Sequence, residues 1–172
     1  MSVIFGIIED EIVIIAGDKR GSSKDGAQLT DDLSKVTVVN RHLAFASAGN
    51  ASIGLALEID TDKAVNRELM TTNDMLNTII ELYRKFEEAK TGFLLSLPFY
   101  FLIAGKSKDN TISLFSGGYI NGKLDYLDVP MALYPPADTD MKNCSEIFVK
   151  NISFIEVFLS KRLLQKYLQK AN

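Results

Sequence analysis

Residues 2–20 read SVIFGIIEDEIVIIAGDKR, and this stretch decides the fold. Val3 to Ile8 is an apolar, β-branched run. Glu9-Asp10 breaks it, and Ile12 to Ala16 is a second run rich in Ile and Val. Two short apolar runs joined by polar residues predict a β-hairpin. Because neither run alternates with polar residues, both strands are expected to be buried on both faces, in the middle of a layered fold.

Working outward, Gly17 to Ser34 is polar and holds three glycines, which predicts a long loop of the kind that often carries function. Lys35 to Val39 and Leu43 to Ala48 read as the next two strands, with Asn40-Arg41-His42 as the turn between them. Gly49 ends the second of these. Asn50 is placed to cap a helix whose apolar positions include Ile53, Leu55, Leu57 and Ile59. After a polar break from Asp60 to Asn66, Thr72 to Phe86 carries Met75, Leu76, Ile79, Ile80, Leu82, Tyr83 and Phe86 at helical spacing.

Phe99 to Ala104 returns to strand character. Lys108-Asp109-Asn110 is a turn, and Thr111 to Phe115 is the next strand. Tyr119-Ile120 and Lys123-Leu124 flank Asn121-Gly122, a pair suited to a type I′ hairpin turn. From Asp138 onward the pattern is helical, and Phe154 to Gln169 has one apolar face. Strand blocks and helix blocks are segregated, which predicts an α+β fold with antiparallel sheets. Helices over doubly buried sheets predict a four-layer αββα sandwich, formed by residues 1–172 as a single domain.

Composition narrows the function. The chain has 172 residues, a net charge of −3, 47% hydrophobic and 24% charged residues. This balance argues against a nucleic-acid binder. Cys144 is the lone cysteine and His42 the lone histidine, which leaves no intrachain disulfide and no conventional zinc site. No local pattern supports a catalytic Cys144–His42 pair. Asp60-Thr61-Asp62 and Asp138-Thr139-Asp140 are fragments of calcium loops without the rest of that motif, so no metal or cofactor is expected. The most apolar stretch, Phe93 to Ala104, is about half of a ~20-residue membrane span. Neither an export signal nor a membrane anchor is read, and a cytoplasmic location is expected.

Several segments resemble one family in order and in register. Ser2 precedes the hairpin, and Ile14-Ile15-Ala16-Gly17-Asp18-Lys19-Arg20 ends its second strand. Lys35-Val36 opens the third, and Ala46-Ser47-Ala48-Gly49 leads into a helix. Phe99 to Gly118, FYFLIAGKSKDNTISLFSGG, forms a later hairpin. Together these resemble the proteasome β-subunit and HslV branch of the N-terminal nucleophile hydrolases. Serine stands where that family usually has threonine. Met131-Ala132-Leu133-Tyr134-Pro135-Pro136 replaces the family's Gly-Ser-rich turn.

The resemblance implies a site. Ser2, exposed at the chain start by removal of Met1, would be the nucleophile, with its own α-amine as base. That amine has an ordinary pKa near ~8, close to working pH. Lys35 would disfavour the protonated amine, and Asp18 would hold Lys35 charged and oriented. Gly49 would offer the oxyanion its backbone N–H. Ser22 and Ala51 would pair with an extended peptide, and Ser47 would floor the first specificity pocket. The implied activity is a threonine/serine-type peptidase or amidohydrolase acting on peptide or amide bonds, by hydrolysis or transfer. The implied assembly is a homo-oligomeric ring served by an ATP-dependent unfoldase. The alternative is a catalytically silent structural or scaffold subunit of the same fold.

Overall fold

The structure is a computed structural model that describes residues 3–19, 21–22, 28–30, 33–89, 92 and 96–134. The chain divides into two units, Met1–Pro136 and Ala137–Asn172, and every described residue belongs to the first. The helices expected from Asp138 onward and over Phe154 to Gln169 lie outside the described residues, as do Pro135-Pro136 and Cys144.

The opening hairpin forms as its sequence dictates. β1 (Ile4–Glu9) and β2 (Ile12–Gly17) pair antiparallel from Ile4↔Gly17 to Glu9↔Ile12. Asp10 makes the turn at φ 51°, a left-handed value that Asp tolerates better than most residues. The expected loop then contains a short pair, β3 (Gly21–Ser22) with β4 (Gln28–Thr30). β5 (Val36–Asn40) and β6 (Leu43–Gly49) follow. Next come α1 (Ala51–Asp62), a 3-10 turn at Arg67–Leu69, and α2 (Thr72–Glu88). β7 (Phe99–Lys106), β8 (Ile112–Ile120), β9 (Lys123–Asp128) and β10 (Met131–Tyr134) complete the described elements.

The result is mixed α+β with antiparallel sheets. One sheet runs β5-β6-β7-β8-β9. In the other, β10 returns to the start of the chain and pairs with β1, giving the order β10-β1-β2. The period-2 alternation of side chains divides the larger sheet into two faces. Phe45, Phe99, Phe101 and Ile103 point to the helices and bury Ile53 and Leu57 of α1 with Met75 and Ile79 of α2. The intervening residues Ala46, Ala48, Leu102, Ala104 and Leu114 pack on the other side with Ile4, Val13, Ile15 and Ala132 of the smaller sheet. Each large side chain so buried contributes ~1.5–3 kcal/mol. Three layers are therefore in place: helices, five-stranded sheet, three-stranded sheet.

Three local expectations change. β2 is not buried on both faces: Val13 and Ile15 pack inward, while Ile12 is 51% exposed and Ile14 36%. In α1, Ile53 and Leu57 are buried, whereas Leu55 and Ile59 are exposed, because two positions along a helix is about 200° of rotation. Ile112–Ile120 form one nine-residue strand, β8, that runs straight to the Asn121-Gly122 turn. That turn has φ 53° at Asn121 and 79° at Gly122, as a type I′ hairpin requires.

Polar groups fix the connections. Asn40 Nδ2 donates to the carbonyls of Arg67 and Met70 at 2.8 and 3.1 Å, and Arg67 Nε donates to the Val39 carbonyl at 2.8 Å. Thr71 and Asp74 form a capping box at the start of α2. Within the helix-side core, Tyr83 stacks on Tyr119 with ring centroids 4.5 Å apart, and its buried hydroxyl has no hydrogen-bond partner among the described residues.

Candidate functional site

The site begins where β6 becomes α1, in the sequence Ala48-Gly49-Asn50-Ala51. Gly49 has φ +89°, and a Cβ there would lie 2.3 Å from the Pro98 carbonyl oxygen, so only glycine fits. Asn50 N–H donates to that same carbonyl at 3.0 Å. Asn50 Oδ1 accepts from Ser52 N–H at 3.1 Å and caps α1. One residue makes the bend and the next starts the helix, which fixes both against the β7 end of the sheet.

Asp18 lies just past β2 and Lys35 just before β5, so the pair joins the two sheets. Lys35 Nζ is 2.5 Å from Asp18 Oδ1, with side chains 3% and 33% exposed. The same Asp18 oxygen accepts Val3 N–H at 2.7 Å, and Asp18 N–H donates to the Val3 carbonyl at 3.0 Å. Val3 is thus clamped from both sides by Asp18. Ser47 N–H donates to the Lys35 carbonyl at 2.9 Å, which ties the lysine to β6. A lysine buried to this degree is tolerable only because a carboxylate faces it.

A pocket of about 220 Å³ opens beside this pair, and Lys35, Ser47, Gly49 and Ala51 all line it. Asp18 does not line the pocket and stands behind it, bonded to Lys35. Five of the seven residues named from the sequence are therefore brought together. Ser22 lies in β3, and Ser2 lies outside the described residues.

Sequence reading missed part of the lining. Thr37, Gly54, Leu55 and Glu58 also face the pocket. Ala51, Gly54, Leu55 and Glu58 are spaced i, i+3, i+4, i+7, one face of α1, so extending the helix from Ala51 would have found them. Gly54 lets α1 approach β6: a Cβ there would lie 2.7 Å from Ser47 Oγ.

A larger hollow of about 430 Å³ opens near Arg41, His42 and Leu43, at the opposite end of β6. His42 is exposed there, and the buried Lys35–Asp18 pair is absent from its lining. Among the described residues, no group of three or more His, Cys, Asp and Glu is placed to hold a metal ion, and no helix is long and apolar enough to cross a membrane. No family model fits the chain, and no curated protein matches it.

Proposed function

We propose that this chain is an N-terminal-serine hydrolase of the proteasome and HslV type, with the four-layer αββα sandwich of that family and a cytoplasmic site of action. The observation that carries the reading is the double use of Asp18 Oδ1. It holds Lys35 Nζ at 2.5 Å and the N–H of Val3, the residue after Ser2, at 2.7 Å. Val3 is thereby tied through Asp18 to a buried cation beside a pocket that Gly49 lines.

The chemistry follows from those neighbours. Removal of Met1 leaves Ser2 with a free α-amine. The Lys35 charge disfavours protonation of that amine, which then takes the proton of the Ser2 hydroxyl as its oxygen attacks the substrate carbonyl. The Gly49 N–H donates to the oxyanion, an interaction worth ~3–4 kcal/mol in hydrolases generally. The carbonyl carbon–nitrogen bond breaks, the leaving nitrogen receives the proton from the α-amine, and an acyl ester on Ser2 remains. Water then attacks the ester and restores Ser2. An acceptor amine in place of water gives transfer. Ser47 and Ala51 shape the substrate side, with Ser22 pairing along an extended peptide. A homo-oligomeric ring and an ATP-dependent unfoldase complete the proposed assembly.

The test is to treat full-length protein with a peptide epoxyketone or β-lactone and determine the mass of its N-terminal peptide. A peptide that begins at Ser2 and carries the adduct is the expected result. Lys35→Ala should cut the labelling rate by at least ~100-fold. An unlabelled peptide retaining Met1 would overturn the hydrolase reading and favour a scaffold subunit.

A further inference from the structure

Resting on the hydrolase reading, we infer that the pocket selects substrates with a long basic side chain, lysine or arginine, on the acyl side of the scissile bond, and that Glu58 is the residue that selects it.

Among the described residues, the pocket has two charged lining residues, Lys35 and Glu58. They are not equivalent. Lys35 is buried and faces Asp18 at 2.5 Å, so its charge is already met by a carboxylate. Glu58 is exposed and forms no ion pair among the described residues. The charge that the described lining offers to an incoming side chain is therefore negative.

Helix geometry places that charge at a useful depth. Ala51 and Gly49 lie at the end where the substrate backbone is proposed to sit. Glu58 is seven residues beyond Ala51 on the same face of α1, about 10 Å along the axis. Between them the face carries only Gly54 and Leu55, opposite Ser47 of β6. The result is a channel with a small floor, an apolar wall and a carboxylate at its far end. The stem of a lysine or arginine would lie along Leu55 while its cation reaches Glu58, an arrangement that suits an apolar chain with a charged tip. A short apolar side chain leaves the carboxylate unmet, and an acidic one meets repulsion.

Two measurements on full-length protein test this. In the first, peptide epoxyketones that differ only in the side chain next to the reactive group, arginine, leucine or glutamate, compete for labelling. The arginine probe should react at least ~10-fold faster than the other two, with the advantage shrinking as salt rises. Glu58→Gln should remove the advantage, and Glu58→Lys should shift it towards the glutamate probe. A preference for leucine or glutamate in the unmodified chain, or an arginine preference unchanged in Glu58→Gln, overturns the inference. In the second, benzamidine binding is followed by titration calorimetry, which needs no nucleophile. Saturable binding that Glu58→Gln weakens at least ~10-fold supports the inference, and absence of binding overturns it. If no probe labels the protein, the hydrolase reading fails while the calorimetry still decides the pocket's preference.

Discussion

Lys35 Nζ and Asp18 Oδ1 meet at 2.5 Å across the gap between two sheets, and the lysine is the more deeply buried partner, 3% exposed against 33%. The two ends of this bridge should respond differently to mutation. Replacing Lys35 with Met leaves a carboxylate that water and the Val3 N–H still serve, so the loss should stay within ~1 kcal/mol. Replacing Asp18 with Ala strands a buried cation, at a cost of ~3–5 kcal/mol. Urea midpoints at unchanged slope measure both, and equal losses would mean that burial does not govern the pair.

Gly49→Ala should destabilise the fold by at least ~2 kcal/mol. The added Cβ meets the Pro98 carbonyl at 2.3 Å, and the φ of +89° costs a non-glycine residue ~1–3 kcal/mol on its own. Thermal unfolding of the variant checks this. A shift of less than a degree would show that the β6–α1 corner relaxes freely.

Tyr83→Phe should raise stability by ~1 kcal/mol, because it deletes a buried hydroxyl that has no partner among the described residues and keeps the ring stacked on Tyr119. Burial, assisted by Tyr119, pushes the Tyr83 phenol above its ordinary value near 10. The folded state therefore keeps this proton where the unfolded chain releases it, and stability falls as pH rises past ~10. The Phe variant should lose stability less steeply in that range. An identical slope would remove Tyr83 from the alkaline transition.

Thr71→Ala should cost ~1 kcal/mol by removing the cap of α2. Burial alone would raise the Asp74 carboxyl, but hydrogen bonds from the Thr71 hydroxyl and N–H, together with Lys108, outweigh it and hold the group below its usual range. The contribution of Asp74 is then present above pH ~4 and lost as pH falls through its lowered value. Acid titration followed by circular dichroism should show a smaller acid-induced loss in Thr71→Ala than in the parent chain. An equal loss would place the acid sensitivity elsewhere.

Local chemistry made much of this architecture legible. The β1–β2 turn, the Asn50 cap, the Asn121-Gly122 hairpin and the buried face of α2 each follow from a short-range rule, and each stands as read. What escaped depends on partners distant in sequence. Ile12 and Ile14 look like core residues by composition, yet β2 packs only one face on the larger sheet. Met131–Tyr134 is too short to announce a strand and becomes one by meeting β1. At the site, Lys35, Ser47, Gly49 and Ala51, named by resemblance, line one pocket, and Asp18 pairs with Lys35 behind it. Gly54 and Glu58 were missed because a pocket wall leaves no local signature until the helix that carries it is placed against β6.

The pairing of β10 with β1 has a consequence in time. Ile4 finds one partner, Gly17, within the first twenty residues, but its other partner is Tyr134. During synthesis the first strand waits with one edge unpaired until residues 131–134 leave the ribosome, a long loop to close and so a late event in folding. The hydrogen bonding around Val3, beside that edge, is then secured only after β10 has paired. Any chemistry that depends on the placement of Val3 is withheld from chains that stop short of β10 and becomes available once that strand has paired.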